Sequence, residues 1–222
     1  STFNWYVTVN KIHEGVCIAD EAPDLIPGSP YKYNGDPEFG HAVVDAIKGA
    51  DLAVGLMDSP HFKWDYASYV PLHYLDPDAT VPVVLLPSVV CSDLDENLKV
   101  GGLVHDAAVK SNKKAIFLGS CALAHKVVRG PHLWPSEEHM DTDKKLISMF
   151  CEGKIDALID WLPDYARDVV TEMGGRPMAG MLGATAAMAN ANSSGNGVRG
   201  KQWGPYGQSS GSGNASICVL PH

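Results

Sequence analysis

"NKKAIFLGSCALAHKV", residues 112–127, is the stretch on which the reading of the fold turns. A basic turn leads into the short apolar run 115–118, which ends in small residues: Gly119, Ser120, Cys121, Ala122 and Ala124. An apolar run of that kind, bounded by turn residues, reads as a strand buried on both faces. The residues beyond it read as a loop that clears side-chain volume around one imidazole, His125. Imidazole titrates near neutrality and bulky neighbours would block a substrate, so this collar points to a general acid or base. The other reading is a loop histidine bonded to backbone, and the strand-end position weighs against it.

Four more runs share the pattern: 5–9, 52–57, 81–90 and 216–220. Helical patterns lie between them. In 36–50, Pro37 follows Asp36 as a first-turn proline, and Phe39, Val43, Val44 and Ile47 share one face. The stretch 92–111 opens on a Ser–Asp cap and an acidic first turn. From 136 onward two or three helices are expected, with breaks at Gly153 and Pro163 and an end at Gly174–Gly175. A small-residue helix follows over 177–192, and the Gly/Ser-rich 193–215 reads as a long loop. Strands alternating with helices, then a helical block, predict an α/β fold. The expected form is a mostly parallel central sheet with helices on both faces, residues 1–222 making a single domain with a helical C-terminal block. Ligands of such sheets sit beyond the carboxyl ends of strands, where His125 falls.

Composition narrows the function. The chain has 222 residues, 45% hydrophobic and 19% charged, enough to bury the core of one generous domain or two small ones. A formal charge of −9 with no basic stripe argues against nucleic acid and anionic membranes as partners. No apolar run approaches the ~18–20 residues of a membrane span, and the first residues carry no secretory pattern. Five scattered cysteines without a CxxC read as reduced thiols of a cytoplasmic protein. The chain enters at once on a strand-like segment with no initiator Met, which predicts a missing N-terminal portion. Neither dinucleotide, P-loop, nucleophile-elbow nor zincin motifs occur, so a nucleotide cofactor or a serine hydrolase lacks support.

Three other segments hold chemistry-bearing residues. "DSPHFKWDYASYVPLHYLDP" (58–77) gathers His61, Tyr66 and further aromatic and polar groups. It suits either the wall of a pocket for a flat aromatic ligand or a cover on the core. In 127–139, His132 and His139 flank Glu137 and Glu138 without a metal spacing, which reads as a solvated helix start. Glu172 stands alone among apolar and small residues just before Gly174–Gly175. A helix end disfavours a carboxylate, so one placed there invites a cation, either Arg176 or a metal.

In this order, three of the segments resemble the class III extradiol ring-cleavage dioxygenases, the superfamily of the protocatechuate 4,5-dioxygenase β subunit. "DYASYVPL" (65–72) resembles the family's Asp-His-Gly-x-x-x-Pro-Leu segment, with Tyr66 in the histidine's place and Ala67 in the glycine's. "SCALAHKV" is similar to the strand end that closes on Ser-His, and His125 matches the catalytic base. Glu172 matches the late glutamate. "ADEAPDLIPGSPYKY", "VPLHYLDP", "HKVVRGPHLWP" and "YGQSSGSGNA" look most like the branch that cleaves 2-aminophenol.

The resemblance implies a non-haem Fe(II) centre of two histidines and one glutamate, with positions left for substrate and O2. Glu172 would be the metal ligand. His125 would be the catalytic acid and base, Tyr66 a second catalytic residue, and His61 would join both in binding substrate. The product would be a muconic semialdehyde from 2-aminophenol or a related catechol, with the 193–215 loop closing over the site. A second subunit or a further copy of the chain would be the partner. The family's two histidines lie N-terminal to the segment that begins this chain, and His13 and His41 fit neither motif. A truncated catalytic subunit is therefore expected, with a non-catalytic structural subunit as the alternative. An unrelated α/β hydrolase or phosphorylase-like enzyme is the third reading and has no motif behind it.

Overall fold

A computed structural model describes residues 2–17, 28–126, 130, 132–192 and 197–222. They form two compact units, one of residues 1–91 with 107–115, the other of 92–106 with 116–222.

In the first unit, β1 (Trp5–Thr8) pairs in parallel with β4 (Val54–Met57), from Trp5 opposite Val54 to Thr8 opposite Met57. The crossover between them contains α1 (Pro37–Gly49), whose Val43, Val44 and Ile47 are buried. Helix α1 starts where the sequence says it should: the Asp36 side chain accepts the Phe39 N–H at 3.0 Å, with Pro37 in the first turn. Before it, β2 (Ile12–Cys17) and β3 (Ser29–Asn34) pair antiparallel. Alternation on β3 turns Tyr31 and Tyr33 inward and Lys32 outward. Helix α2 (Tyr66–Leu75), capped by Asp65, buries none of its residues.

Helix α3 (Leu94–Lys110) belongs to the second unit up to residue 106. The body of that unit is α4 (Glu137–Glu152), α5 (Ile155–Asp168), a 3-10 turn over Glu172–Gly175, and α6 (Arg176–Ala191). Leu146 and Phe150 of α4, Leu158, Leu162 and Tyr165 of α5, and Met178 and Leu182 of α6 make its core. Gly153 ends α4 in the left-handed conformation, at φ 73°. Two antiparallel strands, β5 (Val198–Ser209) and β6 (Ser212–Pro221), close the chain.

The fold is mixed α/β, but the expected large central parallel sheet is replaced by three two-stranded pairs, one parallel and two antiparallel, among the described residues. Two apolar runs read as interior strands do not enter a ladder. Run 81–90 carries Pro82 and Pro87, which have no N–H to donate. It still runs beside β1, through Thr8 N–H to the Leu85 carbonyl at 3.1 Å and Val90 N–H to the Thr2 carbonyl at 2.8 Å. Run 115–118 forms no ladder, and its Ile116 is 91% exposed. The long loop read over 193–215 is in fact mostly the β5–β6 pair, with residues 193–196 lying outside the described residues; Gly, Ser and aromatic residues there form a ladder with an irregularity between Trp203 and Gly207. Pro163, read as a break, lies inside α5.

Candidate active site

The stretch that opened the sequence reading ends in a run of anchored backbone. Four consecutive N–H groups each donate to an acceptor brought from elsewhere in the second unit. Ala122 donates to Glu172 Oε2 at 2.6 Å, and Leu123 to the Gly213 carbonyl at 2.9 Å. Ala124 donates to Asp143 Oδ2 at 3.2 Å, and His125 to the Val169 carbonyl at 3.2 Å. Gly213 returns a bond from its own N–H to the Ala124 carbonyl at 2.8 Å. Ala122, Leu123 and Ala124 are buried, while His125 is half-buried. These bonds fix the backbone on which the imidazole stands.

Asp143, on α4, is wholly buried. Its Oδ1 accepts the Tyr165 hydroxyl at 2.7 Å, and its Oδ2 accepts the Tyr206 hydroxyl at 2.6 Å beside the Ala124 N–H. Burial pushes its carboxyl above the usual range, against the three donors and the nearby His139, which favour the charged form. Desolvation and the Asp143 charge push both phenols well up, so they remain donors at neutral pH. No sequence motif announced Asp143. The available signal was its spacing from Leu146, Ile147 and Phe150, which puts it on the buried stripe of α4.

Glu172 sits in a strained turn. Val170 (φ 53°) and Met173 (φ 52°) are non-glycine residues in the left-handed region, followed by Gly174 and Gly175. Arg176, one of the two cations offered for Glu172, donates instead to the Ser92 carbonyl at 2.7 Å and the Met173 carbonyl at 2.6 Å. Desolvation and then the Glu172 charge push the Cys121 thiol up to about 12, so it is protonated at neutral pH.

His61 and Tyr66 lie in the first unit, where both are exposed. The His61 N–H donates to Ser59 Oγ at 3.2 Å, and Tyr66 opens α2 directly after its Asp65 cap. Segment 58–77 divides between its two readings. Trp64 enters the core, stacked on Tyr31 with ring centres 4.7 Å apart, whereas His61, Tyr66, His73 and Tyr74 remain outside. His139 and the two glutamates begin α4 behind a Ser136 cap, the solvated helix start expected of them. Among the described residues no three His, Cys, Asp or Glu side chains form a group able to hold a metal ion. Glu172 brings one carboxylate, so these residues do not compose an iron centre by themselves.

Residues 2–204 match the family described as the catalytic LigB subunit of aromatic ring-opening dioxygenase. The chain belongs to that family. Among its relatives is a 3,4-dihydroxyphenylacetate 2,3-dioxygenase of Escherichia coli, 26% identical over 161 residues, covering 69% of this chain and 58% of the relative. Another is the 2-aminophenol 1,6-dioxygenase beta subunit of a Pseudomonas species, 27% identical over 159 residues, covering 64% and 52%. The chain thus spans little more than half the length of these curated relatives. The crystal structure of an uncharacterized protein from Escherichia coli K12 shares the fold, at a TM-score of 0.60 and 17% identity over 84% of this chain and 72% of that one. No described helix is long and apolar enough to cross a membrane.

Proposed function

We propose that this chain serves the extradiol opening of 2-aminophenol or a related catechol, both atoms of O2 entering a muconic semialdehyde product. The observation that carries this is the anchored run of four N–H groups ending at His125, a backbone held as firmly as a proton-transfer group requires. His125 takes a proton from the substrate's second ring substituent and returns it during ring opening. The residue is half-buried, which supports that role, since it can meet a substrate and still lose part of its hydration. Tyr66 and His61 are proposed to orient the substrate. Both residues are exposed. Fe(II) is the metal this reading calls for, with Glu172 as this chain's ligand. Among the described residues no group of three such donors forms, so the steps assigned to the chain are those of its own side chains.

A second reading, the non-catalytic subunit of such a dioxygenase, draws on one observation: Glu172 already spends an oxygen on the Ala122 N–H at 2.6 Å. The Pseudomonas relative's designation as a beta subunit supports a partner, either a different subunit or a further copy. Five cysteines without a disulfide are in keeping with a reducing cytoplasm.

Protein purified anaerobically from its source cells, at the length it has there, then supplied with Fe(II), air and 2-aminophenol or catechol, decides between the two. O2 uptake with growth of a yellow product and near-stoichiometric iron is the expected result. No product and no bound iron would overturn the catalytic reading in favour of the structural one.

A further inference from the structure

We propose that Asp143 is the positioning residue for His125, its buried carboxylate clamping the Ala124 N–H and thereby setting where the neighbouring imidazole stands. The proposal rests on the reading of His125 as the acid–base group, and extends it to a residue that neither motif nor resemblance marks.

The geometry is specific. Three donors converge on Asp143 from three directions: Tyr165 from α5, Tyr206 from β5, and the backbone one residue before His125. Only an acceptor with lone pairs on both oxygens satisfies all three, which is what a carboxylate offers and an amide does not. Gly213 of β6 passes so close that a Cβ there would meet both the Tyr206 hydroxyl and Asp143 Oδ2. The same glycine trades backbone bonds with Leu123 and Ala124. Asp143 therefore joins α4, α5, β5, β6 and the segment 122–125 in one fully bonded network, and such networks hold a single geometry. The ionisable groups that face it are Tyr165, Tyr206 and, one turn earlier on α4, His139.

A residue that merely stabilised the unit would change its melting and leave the His125 ring as it was. The test uses Asp143→Asn and Tyr206→Phe in the full chain, with [13C,15N]-histidine labelling and His125→Gln to assign the ring signals. Asp143→Asn places an NH2 among donors. The expected outcome is moved His125 resonances, a moved titration midpoint, and kcat down about ten- to a hundredfold with KM little changed, the scale of a misplaced catalytic group. Tyr206→Phe keeps the carboxylate but removes one of its donors, and shows the same signature at smaller size. Asp143→Glu, which restores a carboxylate, recovers part of the loss. Unmoved His125 signals and wild-type kcat in Asp143→Asn would overturn the proposal. If that variant does not fold, the same null result in Tyr206→Phe overturns it. Should the wild-type chain turn over no aromatic substrate, the acid–base reading fails on its own, and the His125 resonances alone decide whether Asp143 sets the ring.

Discussion

His125 is half-buried, and its structural bond is made by its backbone N–H rather than its ring. Replacing it with alanine keeps that bond, so the fold should survive the change. Turnover should fall more than ~10²-fold, the usual scale for losing an acid–base group, with far-UV circular dichroism unchanged. Gly213 carries the opposite kind of importance. Its missing Cβ leaves room for the Tyr206 hydroxyl and Asp143 Oδ2, two polar atoms that cannot retreat without breaking their own bond. Gly213→Ala should destabilise by about 1–3 kcal/mol, as overpacking does, read as a lower urea midpoint. A midpoint equal to wild type would mean that β6 moves away freely.

Among the elements, α1 shows how local chemistry sets a boundary. Asp36 accepts from Phe39 N–H and also binds Lys113 Nζ at 2.7 Å, within the first unit. Burial alone would raise its carboxyl, but the Lys113 and Phe39 bonds outweigh it and hold the group below the usual carboxylate range. Asp36→Ala should cost about 1 kcal/mol, the worth of an N-cap, measured by urea unfolding at neutral pH. Every clue to α1 was local, namely the cap, the first-turn proline and the apolar stripe. The strand pairs were another matter. In β2 and β3 the inward residues are His13, Cys17, Tyr31 and Tyr33, which do not read as a continuous apolar run. The β5–β6 pair hides behind glycine and serine, residues that mark loops when read alone.

At the scale of the whole molecule, buried titratable groups decide how stability answers to pH. Burial holds the His13 imidazole below its ordinary value, against the favourable bond from its Nε2 to the Val83 carbonyl at 3.1 Å. The folded chain keeps it neutral, while the unfolded chain takes up a proton near pH 6.5. Its contribution is therefore full above about pH 6.5 and is lost as pH falls from there toward the folded value. Unfolding midpoints between pH 7.5 and 5 should drop more in wild type than in His13→Phe. Equal slopes would mean that protonated His13 is accommodated.

By itself the sequence determined what depends on near neighbours: α1, the helical block from 136, the Gly153 stop, and a family membership resting on short motifs. Side-chain period, caps and turn residues act over a few positions, so their message survives without a fold. The tertiary structure alone decided which apolar runs enter a ladder and that 198–221 is mostly a strand pair rather than a loop. It alone also decided that the backbone before His125 is held by Glu172, Asp143, Val169 and Gly213. Those acceptors stand 19 to 90 positions away along the chain, by 143 − 124 and 213 − 123. A hydrogen bond between such distant groups exists only once the helices and strands that carry them have packed.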